Sequence, residues 1–334
     1  MHAQRFARGS VALALALGLT LVASTLSLAA SIPMGGVSGI VSSGSNIWFT
    51  NNATGDSILG SAVKINGSTG ALIRVVDTQS DQLSYAHNPL IIGKDLWVST
   101  VNGLVELKVS NGDLVRTVAL SIPGGDLGGH SAASGHTLWI TANKEVIGID
   151  AKTGKQVRVL KASTLGFKHP SFLAAYASTL WVANGGGDSL DQINTTTGKL
   201  VKVFSSPQDI KGVWSMTDDG PDLWVATQNN RIVELNASTG ARLRVVDVAG
   251  HDPLAMAVSG PNIWGALGDA SVVELSASTA KLVRVVSLAS KGVTYTMNIA
   301  VSNNHVWVIV QTPHIYSELV ELNASSGAIE RVLH

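Results

Sequence analysis

From Val37 to the C-terminus the chain repeats one arrangement of apolar and polar positions. Short runs alternate apolar with polar side chains, and clusters of Gly, Asn, Asp, Ser and Thr separate them. Period-two alternation rich in β-branched residues predicts strands, and nothing in this region holds a helical period. One stretch, "IVELNASTGARLRVV" (232–246), recurs as "LVELKVSNGDLVRTV" (104–118), "VVELSASTAKLVRVV" (272–286) and "LVELNASSGAIERVL" (319–333). The larger period is marked by "NIWFT", "DLWVS", "TLWIT", "TLWVA", "DLWVA", "NIWGA" and "HVWVI". These place Trp48, Trp97, Trp139, Trp181, Trp224, Trp264 and Trp307 at spacings of 40 to 49 residues.

Each unit reads as four strands, for example "PLAMAVS", "DLWVAT", "RIVELN" and "RLRVVDV". Seven such units predict an all-β fold: a seven-bladed β-propeller with four antiparallel strands per blade, over residues 30–334. A Trp at the same place in every unit is expected in the seam between blades. Its burial there is worth about 3 kcal/mol or more. The chain enters on an inner strand, "VSGIVSS", and leaves on an outer one, "IERVLH". Blades one and seven are therefore expected to meet through side chains only, with no strand borrowed, unless residues 30–36 add one.

The third and fourth strands are joined by a repeated turn: "NGSTG" (66–70), "DAKTG" (150–154), "NTTTG" (194–198), "NASTG" (236–240) and "NASSG" (323–327). Asn or Asp bonds the backbone two residues on, and the closing Gly supplies the left-handed residue of a bulged hairpin loop. The sixth unit has Ala280 there, so a strain of order 1 kcal/mol is expected, relieved by Ala280→Gly. Asn66, Asn194, Asn236 and Asn323 also match the N-x-S/T acceptor pattern, but the turn explains them without a glycan. The outer strand always carries a cation: Arg74, Arg116, Arg158, Lys202, Arg244, Arg284 and Arg331. Four of these have Glu ten residues earlier, and a three-residue loop sets Glu234 opposite Arg244. The expected role is protection of an exposed edge.

Charge adds little. There are 23 Lys and Arg against 23 Asp and Glu, so no basic stripe points to nucleic acid. Cys is absent, which removes disulfides, thiolate metal sites and Cys nucleophiles. The first thirty residues differ in kind. "MHAQRFARGS" carries Arg5 and Arg8, and an apolar run then extends from Val11 to Ala30. This reads as an export signal, residues 1–29, cut after Ala29 with Ser27 at −3. A retained anchor is the alternative, since about 20 apolar residues span a bilayer. The expectation is a secreted or extracytoplasmic monomer with no other membrane segment.

"DLWVATQNNRIVELNASTGARLRVV" resembles the YVTN-type propeller repeat, with Trp in place of its Tyr. "NIWFTNNATGDSILG" is similar to the repeat of streptogramin B lyases. The resemblance covers about 46–334 and implies the fold. The lyase likeness also implies a His- and Glu-based divalent-ion site at the channel, but no catalytic residue can be matched. "VIGIDAKTGKQV" is similar to quinoprotein repeats, yet their tryptophan docking motif and vicinal Cys pair are missing.

Propeller ligands gather at one mouth of the central channel. His87, His130, His169 and His251 precede inner strands, Asp252 follows the last of them, and His314 lies in a loop between second and third strands. His87, His169 and His251 are the metal candidates, although no HxH or HExxH spacing supports a formed site. Trp214, the eighth Trp, falls in the inner strand of blade five, as a channel plug or a stacking surface. "ANGGGDSLDQI" (183–193) reads as an exposed loop carrying Asp188 and Asp191. It has no phosphate-loop Lys-Ser/Thr, and no G-x-S-x-G elbow occurs. The first expectation is a non-catalytic module, without cofactor, that binds a protein, glycan or small ligand at this mouth. The alternative is a lyase or hydrolase assisted by a divalent ion.

Overall fold

The computed structural model describes residues 32–52, 60–77, 81–120, 127–248, 250–313 and 317–334. The signal expectation and His314 lie outside them. The described chain forms seven four-stranded sheets, each antiparallel with its strands in sequence order. Blade one is Val37–Ser43, Asn46–Asn51, Ser61–Asn66 and Leu72–Asp77; blade seven is Tyr295–Ser302, His305–Gln311, Glu318–Asn323 and Ile329–Leu333. Each inner strand packs on the next, and that of blade seven lies against that of blade one, closing the ring. No helix among the described residues is long and apolar enough to cross a membrane. The helical residues are single short turns in connections, such as Ala162–Leu165 and Ala289–Lys291.

All seven repeated Trp side chains are at most 1% exposed. Trp48, Trp181 and Trp307 meet the turn of the following blade at Gly112, Gly240 and Gly70. The indole N–H of Trp181 donates to Ala237 O at 2.8 Å, and that of Trp307 donates to Gly67 O at 2.9 Å. The turn is built as its sequence dictates. Asn236 Oδ1 accepts from Thr239 N at 2.9 Å, and Gly240 takes φ 65°. Ala280 takes φ 55° in the same place, the left-handed conformation that a side chain disfavours.

The outer-strand cations do more than guard an edge. Glu234 faces Arg244 in register, and Arg244 Nε lies 2.6 Å from Glu234 Oε2. The cations also reach across the seam to the next blade's turn. Arg116 donates to Lys152 O at 3.0 Å, Arg284 to Ser325 O at 3.0 Å, and Arg331 to Ser68 O at 3.1 Å. The Arg is therefore a clasp between blades, anchored by a buried Glu. Burial pushes the Glu234 carboxyl up, and Arg244 only partly offsets it.

Among the described residues, closure uses no borrowed strand. Val37 N donates to Ser317 Oγ at 2.7 Å, Ser317 Oγ to Met34 O at 3.1 Å, and Ser302 Oγ to Gly44 O at 2.7 Å. Together with the Trp307 and Arg331 bonds, each has a side chain at one end. Residues 32–36 add no strand.

One segment departs from the sequence reading. Residues 183–193 are not an open loop: Thr179–Asn184 and Ser189–Asn194 are strands joined by a tight turn. Asp191 is 3% exposed, and burial raises its carboxyl pKa. The Gly-rich run misled because its polar residues occupy positions where other blades carry apolar ones.

Candidate functional site

All seven inner strands begin at one end of the channel, and there they enclose a cavity of about 580 Å³. Side chains of opposite character alternate around it. Trp214, Phe172 and Tyr295 supply aromatic faces, while Met256, Met297 and Leu254 supply flexible apolar ones. Ser38, Asn52, Asn88, Ser131, Ser215 and Asn298 supply amides and hydroxyls. Neither Asp, Glu, Lys nor Arg is among the described residues that line it.

Two of the expected histidines meet here. His87 and His130 both line the cavity. His87 Nδ1 lies 2.6 Å from Tyr85 O. A carbonyl only accepts, so Nδ1 carries a proton. Tyr85 and Asn88, on either side of His87, have φ 54° and 44°. Left-handed backbone at non-glycine residues costs of order 1–3 kcal/mol each, and such strain clusters at binding sites. The His130 ring stacks on Phe172, with centroids 3.8 Å apart and planes at 41°. Burial, and then the neighbouring His87, lower its pKa to about 4, so it is neutral at pH 7.

Trp214 lines the same wall; its indole N–H is buried without a hydrogen-bond partner, as are those of Trp48, Trp97, Trp139 and Trp224. A buried orphan donor costs about 1–3 kcal/mol until something accepts from it. Asp188 steadies the entry to this strand by accepting from Gly212 N at 2.7 Å.

The other expected residues sit apart. His169 takes φ 61° beside Gly186 and does not line the cavity. His251 Nδ1 pairs with Asp269 Oδ2 on the outer rim, and Asp252 O accepts from Gly268 N at 2.8 Å. His87, His169 and His251 do not form a group within common ligating reach among the described residues. Sequence reasoning missed Phe172, Tyr295, Asn88 and Asn298. Their signal was register: they open inner strands just as His87, His130 and Trp214 do, but carry no conspicuous chemistry. It also missed Asp218, which faces a second cavity of about 300 Å³ deeper in the channel. Asp218 is open to channel water yet surrounded by protein, and this desolvation, with Asp219 beside it, raises its pKa.

Seven sheets round a channel, with the mouth defined by inner-strand starts, is an architecture found in solved structures. The chain has the propeller shape of streptogramin B lyase. That structure aligns with a TM-score of 0.66 at 19% identity, over 83% of this chain and 91% of the other. BamB from Moraxella catarrhalis aligns with a TM-score of 0.52 at 20% identity, over 84% and 82%. The computationally designed Ika8 protein aligns at 0.63 and 13% identity, over 89% and 86%. At these identities the likeness is one of fold. No family model matches the chain, and no curated protein matches it.

Proposed function

We propose that the protein is an exported, non-catalytic propeller whose channel mouth binds a neutral, ring-containing ligand, with a glycan terminus as the class that fits best. The observation that carries this reading is the cavity of about 580 Å³, lined among the described residues by aromatic, apolar and neutral polar side chains and by no charged one. Its size lies within the roughly 300–1,000 Å³ of ordinary ligand sites. A sugar ring has apolar faces for Trp214 and Phe172, and hydroxyls for Asn88, Asn298 and Ser131. A charged ligand would leave water and find no counter-charge on this wall. Export rests on Arg5, Arg8 and the apolar run after them; N-terminal sequencing of protein recovered outside the cytoplasm tests it.

A saccharide array probed with the purified protein tests the binding reading. Neutral glycans should be retained, with at least tenfold weaker binding by Trp214→Ala. Retention of acidic or sulfated glycans alone, or equal binding by the variant, would overturn it. A second reading is lyase chemistry. The His251–Asp269 pair at the rim favours it, since a carboxylate-oriented imidazole suits proton abstraction. It also rests on the fold shared with streptogramin B lyase. Turnover abolished by His251→Ala, with ligand still bound, would select it.

A further inference from the structure

Blade seven carries a group of side chains that no other blade has. The residue that opens the second strand is Asn46, Asp95, Thr137, Thr179, Asp222 or Asn262 in blades one to six, and His305 in blade seven. The residue before the outer-strand cation is Ile73, Val115, Val157, Val201, Leu243 or Val283 in those blades, and Glu330 in blade seven. Both departures occur together, and both converge on the buried Glu321.

The geometry is that of a ligand set. His305 Nδ1 is 2.6 Å from Glu321 Oε1 and 3.4 Å from Glu330 Oε2, and all three atoms lie within 4.8 Å of one another. The second oxygen of each carboxylate is held from outside. Arg331 Nε pairs with Glu321 Oε2, and Asn323 Nδ2 donates to Glu330 Oε1 at 2.9 Å. Outer partners of this kind fix the orientation of ligating groups. The Glu321 side chain is 0% exposed and sits between two basic side chains, His305 at its Oε1 and Arg331 at its Oε2. A buried carboxylate whose oxygen closes on an imidazole nitrogen, with a second carboxylate beside it, turns three ligating atoms toward one point, and a divalent cation can take the place of the proton between His305 and Glu321.

We propose that His305, Glu321 and Glu330 bind a divalent transition-metal ion, Zn²⁺ being the best match to one imidazole and two carboxylates. Bonds of about 2.0–2.2 Å place tetrahedral ligand atoms about 3.3 Å apart, so a small opening of the His305–Glu321 contact admits the ion. Water takes the fourth position on the side where Glu330 is 29% exposed. The two carboxylates and Arg331 leave one net negative charge to meet the ion. The site is a staple. Arg331 also holds Ser68 O of blade one, so fixing Glu321 fixes the clasp across the one junction the chain does not cross. It is separate from the channel mouth and independent of what binds there.

The metal-stripped full chain is titrated with Co²⁺ and Zn²⁺, followed by the Co²⁺ absorption bands, calorimetry and thermal unfolding. The expected result is one ion per chain and a midpoint raised by several degrees. His305→Asn and Glu330→Val restore residues that other blades carry, so both variants should fold, which circular dichroism checks. Each should lose the Co²⁺ bands and the metal-dependent shift, while Trp214→Ala keeps both. Binding below about a tenth of an ion per chain, or undiminished binding in both variants, would overturn the proposal. So would a midpoint that responds to pH alone and not to metal.

Discussion

Replacing Gly240 by Ala tests how the blades are fitted together. Two costs add. Gly240 has φ 65°, and an alanine there pays about 1 kcal/mol for the left-handed conformation. The new Cβ would also stand 2.8 Å from Cη2 and 3.4 Å from Cζ2 of Trp181. Trp181 cannot retreat freely, because it is fully buried and its N–H bonds Ala237 O within the same turn. Overpacking of this kind costs about 1–3 kcal/mol, so the total is about 2–4 kcal/mol. Ala280→Gly is the companion variant in blade six. There the strain of about 1 kcal/mol is relieved, but Ala280 is buried in the same cluster as Trp224, and its methyl is worth about 0.8 kcal/mol. The gain expected from the sequence thus nearly cancels, leaving a change within about 0.5 kcal/mol of zero. Urea unfolding at matched slope measures both. A cost below about 0.5 kcal/mol for Gly240→Ala would refute the claim that this turn is seated on the preceding blade's Trp.

Other outcomes follow from the same structure. Arg244→Ala strands the buried Glu234 and should cost about 3 kcal/mol at pH 7. Because burial holds the Glu234 pKa above its usual value, the carboxyl protonates readily as pH falls, and the deficit should shrink in unfolding measured near pH 4. Ser317→Ala removes two hydrogen bonds across the closing seam and should lower stability by about 1–2 kcal/mol in the same assay. His130 has a lowered folded pKa, so the unfolded chain takes up its proton first. Stability should therefore hold above pH 6.5 and fall between pH 6.5 and about 4, by at most about 3 kcal/mol. His130→Phe should flatten that part of a stability–pH profile.

The repeat made most of the architecture legible. Trp spacing gave the blade number, the Asn-to-Gly turns gave the hairpins, and a Glu ten residues before Arg gave their register. The clasp role was not readable, because it depends on where the next blade's turn falls in space. At the mouth, His87, His130 and Trp214 stood out as rare residues and do line the cavity. His169 and His251 stand 12 and 13 residues before the next Trp, against 10 and 9 for His87 and His130, and they do not line the cavity. Phe172, Tyr295 and the asparagines were invisible, since such residues are ordinary in strands. The His305 group was hidden for another reason. Its members are separated along the chain and stand out only when the blades are superposed.

The central claim is that an uncharged mouth around Trp214 recognises neutral rings, and indole N–H resonances test it most directly. A ¹⁵N-labelled sample gives one signal for each of the eight Trp, and Trp214→Phe identifies the one in the channel. Titration with a neutral oligosaccharide from the array should move the Trp214 signal, as a sugar ring packs on the indole face that lines the cavity, and leave the seven seam signals in place. A Trp214 signal that stays fixed while the ligand binds, or that moves only with charged ligands, would contradict the account.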